Sequence, residues 1–135
     1  YNREFLLLLG QLTETPTLTF EHFKAILAET APNSVIVVVH HLTSDKIIGT
    51  FKVLFERKFT RGGVLKAHLE DVVVHESFRG MKLGSKLMDI AGRIASEHNC
   101  YKLIGASHGD SIDFYIKHGF DASGKSFYKL LKQFE

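Results

Sequence analysis

The chain has 135 residues, 44% of them hydrophobic and 24% charged, with two prolines. That length holds one compact domain and not two, and the balance is that of a chain with a core, not of a disordered one. Seventeen basic residues against fifteen acidic ones leave a net charge of +2, too little to hold nucleic acid non-specifically, and no apolar run reaches the ~20 residues that cross a bilayer.

No repeat, low-complexity tract or linker interrupts the chain, so residues 1–135 read as one domain. Phe5, Leu6, Leu8, Leu9 and Leu12 recur at spacings of three and four, which predicts a helix over residues 2–12. Pro16 ends it, because the residue before a proline is driven out of helical backbone. Thr19 is a helix N-cap, and Phe23, Ile26 and Leu27 are expected on the buried side of a second helix. Asn33 to His41 is β-branched and continuous, the pattern of a buried strand. The turn residues that follow lead into a long strand, Ile47 to Phe59, making a hairpin. After a loop at Thr60 to Gly63, Val64 to Val74 returns as a strand whose Val72-Val73-Val74 end is expected to be covered on both faces. Leu83, Leu87, Ile90, Ala91, Ile94 and Ala95 mark a helix of about four turns, closed by Asn99. Tyr101 to Ala106 is a short strand, and Asp110 or Ser111 caps a helix over Ile112 to His118, with Gly119 just past its end. Phe127 to Phe134 begins as a strand and then turns ambiguous. The order is αα-βββ-α-β-α-β, and residues 64–106 should form a right-handed parallel crossover.

Chemistry concentrates at Arg79-Gly80-Met81-Lys82-Leu83-Gly84, between a strand and an amphipathic helix. Glycines let backbone N–H groups approach a ligand, and the free amides of a helix start favour an anion. Arg79, Lys82 and Lys86 add positive charge, so the segment reads as a phosphate cradle suited to a diphosphate, or else as tight-turn chemistry alone. It is neither a dinucleotide fingerprint nor a Walker loop, since the closing Lys-Ser/Thr is missing. Cys100 is the one cysteine. It excludes an internal disulfide, disfavours a structural zinc site and reads as a small buried hydrophobe. His40 and His41 are adjacent on a strand and point apart, so no metal is assigned. The chain starts at Tyr1 and carries no secretory or lipidation signal, which predicts upstream trimming and a soluble intracellular α/β or α+β domain.

Arg79-Gly80-x-x-Leu83-Gly84 after Glu70-Asp71-Val72-Val73-Val74 resembles the acetyl-CoA motif of the GNAT acetyltransferase superfamily. Leu9-Gly10-Gln11-Leu12-Thr13-Glu14-Thr15, the Glu-Asp-Val-Val-Val block, Asn99-Cys100-Tyr101-Lys102 and Phe114-Tyr115-x-x-x-Gly119-Phe120 run in order over nearly the whole chain. Together they are similar to the glucosamine-6-phosphate N-acetyltransferase family within it. Lys82 fits, because this family commonly lacks the glycine that other GNAT proteins place there. The resemblance implies a mixed, twisted sheet with helices on both faces (an α/β, or α+β, fold) and a first strand upstream of Tyr1. It implies transfer of acetyl from acetyl-CoA to the amine of glucosamine 6-phosphate, by direct attack in a ternary complex, within UDP-GlcNAc biosynthesis.

By the same resemblance, backbone groups of Val72, Val73 and Val74 pair with the pantetheine arm. Arg79, Gly80, Met81, Lys82, Leu83, Gly84 and Ser85 hold the diphosphate, Lys117 is a further cosubstrate contact, and Tyr115 protonates the departing thiolate. A phenol is a competent proton donor; read from its residues alone, Tyr115 packs beside Phe114 with its hydroxyl in water. Thr13, Lys58, Arg61, Glu70 and Asp71 are implied as sugar contacts. Tyr101 and Lys102 are implied to reach the substrate phosphate across a homodimer interface. In a regular strand Glu70 and Asp71 face opposite sides, so their carboxylates cannot meet one small ligand equally. Lys58 to Arg61 also suits a solvated basic edge, and Thr13 a simple cap after the first helix.

Two departures stand out. The family carries a catalytic acidic residue where this chain has Ala106, whose methyl group accepts no proton. His108, His68 and Glu70, in that order, are the candidate bases, and an unperturbed imidazole titrates near ~6.5, suited to this work at neutral pH. A phosphate-binding arginine near the C-terminus falls at Leu131, leaving Lys129 or Lys132 in its stead. Two rivals keep parts of the reading: a GNAT enzyme for another amine, such as a polyamine or a protein N-terminus, and a non-catalytic acyl-CoA-binding module motivated by Ala106. The basic Lys58–Arg61 segment favours an anionic acceptor over a polyamine.

Overall fold

The computed structural model describes residues 2–106, 111–122, 124 and 127–131. Two compact units divide the chain, Tyr1–Gly105 and Ala106–Glu135. The first contains helix α1 (Asn2–Leu9), helix α2 (Phe20–Thr30), strands β1 (Ser34–His41), β2 (Lys46–Arg57) and β3 (Leu65–Val74), helix α3 (Leu83–Glu97) and strand β4 (Cys100–Gly105). The second contains helix α4 (Ile112–Lys117).

Four strands form one sheet in the order β1-β2-β3-β4, the first three antiparallel and the last pair parallel. The parallel step carries α3 across as its connection, as the change of apolar period after Phe78 predicts. Helices pack on both faces. Thr50 pairs with Val73 across β2 and β3, and Val73 packs with Ile47 and with Leu8 of α1. Gly49, the next residue along and therefore on the other face, points its missing Cβ at Leu83 and Leu87 of α3, 3.4 and 3.5 Å away. The α3 face is closed by Leu87, Met88, Ala91 and Ala95 against the sheet. Phe51, Val53 and Ala67 in the strands are fully covered, and burial of a side chain the size of Phe51 or Val53 contributes about 1.5–3 kcal/mol. Thr50 is the buried polar residue of this core; its hydroxyl donates to the Val37 carbonyl at 2.6 Å.

Caps follow the sequence closely. The Thr19 side chain accepts from the His22 N–H at 3.1 Å, opening α2. Asn99 follows the last residues of α3 at φ 57°, and Gly119 lies past α4 at φ 88°, both left-handed conformations that end a helix.

Several expectations are corrected. Helix α1 stops at Leu9, and residues 10–12 form a turn, because the Gln11 and Leu12 N–H groups tighten onto the carbonyls of Leu8 and Leu9, three residues back. No residue of α2 is fully buried; Phe23, Ile26 and Leu27 line an open hollow instead. Strand β1 is half-buried, with Val38 44% exposed, because it is an edge strand. The Val72–Val74 end of β3 is only part covered: Val73 is buried, and Val72 and Val74 are half-buried. Ser111 makes no side-chain cap hydrogen bond to α4, and Asp110 lies outside the described residues. Residues 127–131 are not a strand, so a fifth strand is absent among the described residues.

Candidate functional site

The chain from β3 into α3 builds a corner of exposed main-chain donors. His75, after β3, opens a single 3-10 turn over Glu76–Phe78 by accepting the Ser77 N–H on its Nδ1 at 3.1 Å. The Phe78 ring lies against His41 and His75, with centroids 4.8 and 5.8 Å away. Arg79 then leaves in extended backbone, and its Nε donates to the Val74 carbonyl at 3.1 Å. Gly80 sits at φ 84°, where a Cβ would meet nothing within 4 Å, so the space above it is open. Lys82 occupies the N-cap of α3 at φ 59° and ψ 19° and supplies no side-chain cap. A left-handed backbone here is the reason a glycine would suit this place. First-turn amides of a helix have no intrahelical acceptor, so Leu83 and Gly84 direct theirs outward with the helix dipole behind them. Met81 is exposed beside them, and Ser85 completes the turn. An uncapped helix start with open space above Gly80 and cationic Arg79 and Lys82 at its entrance fits a diphosphate.

Beside this corner the edge of β3 is open. Its parallel pairing with β4 runs from Leu65 opposite Cys100 to Leu69 opposite Gly105 and goes no further. Glu70, Val73 and Val74 pair with β2 on one side, and residues 70–74 pair with no strand on the other among the described residues. An extended ligand can add there as a further strand would.

The alternation expected at Glu70-Asp71 does not hold. Lys52 pairs with Glu70 and Thr50 with Val73, so β3 carries an extra residue, and Asp71 takes φ 53°. Such a bulge breaks the two-residue period, so the two carboxylates are not assigned to opposite faces. Asp71 joins Thr50, Lys52, Phe5, Leu9 and Phe23 in lining a mostly apolar hollow of about 200 Å³ between α1, α2 and the sheet. Glu70 is exposed opposite Lys52. Thr13 lies in the turn after α1, where its carbonyl accepts from the Thr15 hydroxyl at 3.0 Å. The side chain of Gln11 reaches from that turn to accept the Glu76 N–H at 3.0 Å.

At the other end of β3 a cationic group gathers. Arg61, at φ 51° in the β2–β3 turn, places its guanidinium 4.7 Å from the centre of the Tyr101 ring, and Lys102 Nζ lies 5.4 Å from the same centre. Two segments forty positions apart in sequence thus meet. Lys58 pairs with Glu56 at 3.5 Å. Glu56 also accepts from His68 Nε2 at 2.9 Å, a carboxylate being an acceptor only. That hydrogen bond, helped by Lys58 and opposed by desolvation, holds the Glu56 carboxyl below its ordinary value. Glu56 carries no mark in the sequence, since its hydrogen-bond partner His68 comes from the neighbouring strand. The group lies beside Leu65, and Val72–Val74 lie seven to nine residues along β3. At ~3.3 Å per residue that is ~23–30 Å, so one sugar phosphate does not bridge both ends within one chain.

In the second unit, Tyr115 packs edge-on against Phe114 and Phe120, with centroids 5.6 and 5.4 Å away. Burial pushes its hydroxyl above the usual phenol value, and Lys117 is exposed in the last turn of α4. His108 and Lys132 lie outside the described residues; Ala106, Lys129 and Leu131 are exposed. Cys100 is half-buried, and desolvation pushes its thiol up. His40 binds Asp45, and His41 binds Ser44, both at 2.6 Å. Among the described residues no group of three or more His, Cys, Asp and Glu is placed to hold a metal ion, and no helix is long and apolar enough to cross a membrane.

The sequence profile described as "Acetyltransferase (GNAT) family" matches residues 5–120. A glucosamine 6-phosphate N-acetyltransferase of Trypanosoma brucei brucei is 40% identical over 117 residues, 85% of this chain and 79% of that protein. One from Arabidopsis thaliana is 38% identical over 118 residues, with the same shares. The crystal structure of glucosamine-6-phosphate N-acetyltransferase from Arabidopsis thaliana superposes with a TM-score of 0.91 at 35% identity, covering 95% of this chain and 89% of that one.

Proposed function

Because this chain belongs to the acetyltransferase (GNAT) family, we propose that it transfers acetyl from acetyl-CoA to the amine of glucosamine 6-phosphate. The products are N-acetylglucosamine 6-phosphate and CoA, in the supply of UDP-GlcNAc. The observation that carries this reading is the 40% identity, over most of both chains, to a protein named for that activity. The open edge of β3 running into an uncapped helix start supports it.

In this reading residues 1–135 act as one acetyltransferase domain. Acetyl-CoA supplies the activated thioester. Residues 72–74 hold its pantetheine arm through their backbone, and Arg79, Gly80, Met81, Lys82, Leu83, Gly84 and Ser85 hold its diphosphate, with Lys117 a further contact. Backbone N–H groups of β3 stabilise the oxyanion that forms when the amine attacks directly. Tyr115 gives its proton to the leaving sulfur; its raised pKa, caused by burial, keeps that proton in place at neutral pH. Thr13, Glu70 and Asp71 receive the sugar. His108, His68 and Glu70 are the candidates to take the ammonium proton, with no metal assigned. The enzyme is a homodimer in which Lys58, Arg61, Tyr101 and Lys102 serve the phosphate in the partner's site, a role supported by their separation from Val72–Val74. It works in the cytoplasm or another intracellular compartment, where acetyl-CoA is at hand.

The test is CoA release on mixing the protein, acetyl-CoA and glucosamine 6-phosphate. Release with this sugar sustains the reading. Release only with other amines replaces its acceptor, and acetyl-CoA binding without release makes the protein a non-catalytic module.

A further inference from the structure

The turn that carries Thr13 and the turn that leads into the diphosphate corner are tied together by one side chain. Gln11 Oε1 accepts the backbone N–H of Glu76, 65 positions away, at 3.0 Å. On the Gln11 side, the turn is folded back on α1 by Gln11 N–H to Leu8 O at 3.0 Å and Thr13 N–H to Leu9 O at 3.3 Å. Leu8 itself is buried against Val73. On the Glu76 side, the 3-10 turn needs its first donors satisfied from outside, as every helix start does. His75 takes the Ser77 N–H, and Gln11 takes that of Glu76. Phe78 N–H closes on the His75 carbonyl at 2.8 Å. Arg79, Gly80 and the uncapped start of α3 follow directly.

We propose that Gln11 is a positioning residue that couples the acceptor-side turn at residues 11–15 to the cosubstrate corner at residues 76–85, so that ordering one orders the other. Its chemistry suits the task. The side-chain oxygen is an acceptor on a stem long enough to reach a main-chain donor in the other turn. It touches neither reacting group and acts through the backbone of the turn. The kinetic part of this proposal rests on the reaction given above; the coupling itself does not.

The test uses Gln11→Met, which keeps the length and loses the acceptor, and Gln11→Glu, which keeps an acceptor oxygen. In the wild type, CoA should slow amide hydrogen exchange in residues 11–15, and Gln11→Met should lose that protection. In Gln11→Met, kcat/KM for glucosamine 6-phosphate should fall about five- to tenfold, the effect of one lost hydrogen bond. The Kd for acetyl-CoA should stay within about twofold, and Gln11→Glu should recover most of the loss. The proposal is overturned if CoA leaves residues 11–15 unprotected in the wild type, or if Gln11→Met keeps wild-type protection. It is overturned equally by a matched fall in acetyl-CoA affinity that Gln11→Glu does not restore, since that marks a merely structural side chain. A wild type inert toward glucosamine 6-phosphate sinks the acceptor reading, while the exchange experiment still decides the coupling.

Discussion

The Arg61 guanidinium lies 4.7 Å from the centre of the Tyr101 ring, joining the β2–β3 turn to the start of β4. With Lys58 and Lys102 close by, it forms a cationic group at the opposite end of β3 from the edge that would hold the cosubstrate. If this group meets the sugar phosphate of the partner's site, Arg61→Ala raises KM for glucosamine 6-phosphate about tenfold or more, since charge-assisted contacts are the strong ones. The Kd for acetyl-CoA stays as it was. Read at glucosamine 6-phosphate well below KM, where both parents are slow, mixing Arg61→Ala with Tyr115→Phe subunits then restores about a quarter of the wild-type rate, because half the dimers are mixed and each holds one intact site. A mixture no more active than its parents places both residues in the same chain's site.

Tyr115→Phe removes the proposed proton donor and leaves the packing against Phe114 and Phe120. Turnover falls about a hundredfold, the usual scale for a lost general acid, with acetyl-CoA affinity unchanged. The active form is the protonated phenol, and burial raises its pKa. The alkaline fall in kcat caused by this group therefore has its midpoint above the ordinary value of ~10. Equal turnover in the variant takes Tyr115 out of the mechanism.

The Glu56–His68 contact makes a stability prediction. The Glu56 carboxyl is held down by the His68 hydrogen bond first, with Lys58 adding to it. A depressed carboxyl stabilises the folded chain while ionised. That contribution is present above the unfolded value of ~4.3 and lost as pH falls through the folded one. Urea unfolding of wild type and Glu56→Gln should therefore differ near neutrality and converge once the pH has fallen through the folded value. A gap that stays constant with pH shows that the charge contributes nothing.

Gly80→Ala tests the corner itself. A Cβ there meets nothing within 4 Å, so no clash obscures the result; the cost is the left-handed backbone alone, about 1–2 kcal/mol. The Tm should fall and the Kd for acetyl-CoA rise. A variant as stable and as tightly binding as wild type shows that this conformation is not required.

Much of the fold is legible in the sequence because it is written at short range. Periods of three and four placed α1, α2 and α3, β-branched runs placed the hairpin, and Thr19, Asn99 and Gly119 marked helix ends through their own backbone and side-chain preferences. The Arg79–Gly84 cradle is legible for the same reason: its glycines and the start of α3 are neighbours in the chain. Other features depend on what lies across the sheet. The bulge at Asp71 exists because β2 and β3 differ by one residue between two pairings, and no local pattern in β3 announces it. Glu56 acquires its role from His68 on the next strand, Arg61 from Tyr101 on the far side of a crossover, and Gln11 from an amide 65 positions away. Local pattern in the sequence marked most of the helices and strands, the strand expected at residues 127–131 excepted, and singled out Arg79–Gly84 as suited to an anion. Which side chains meet was left to tertiary structure, because strand register and the folding-back of turns bring together residues whose own neighbours carry no trace of the contact.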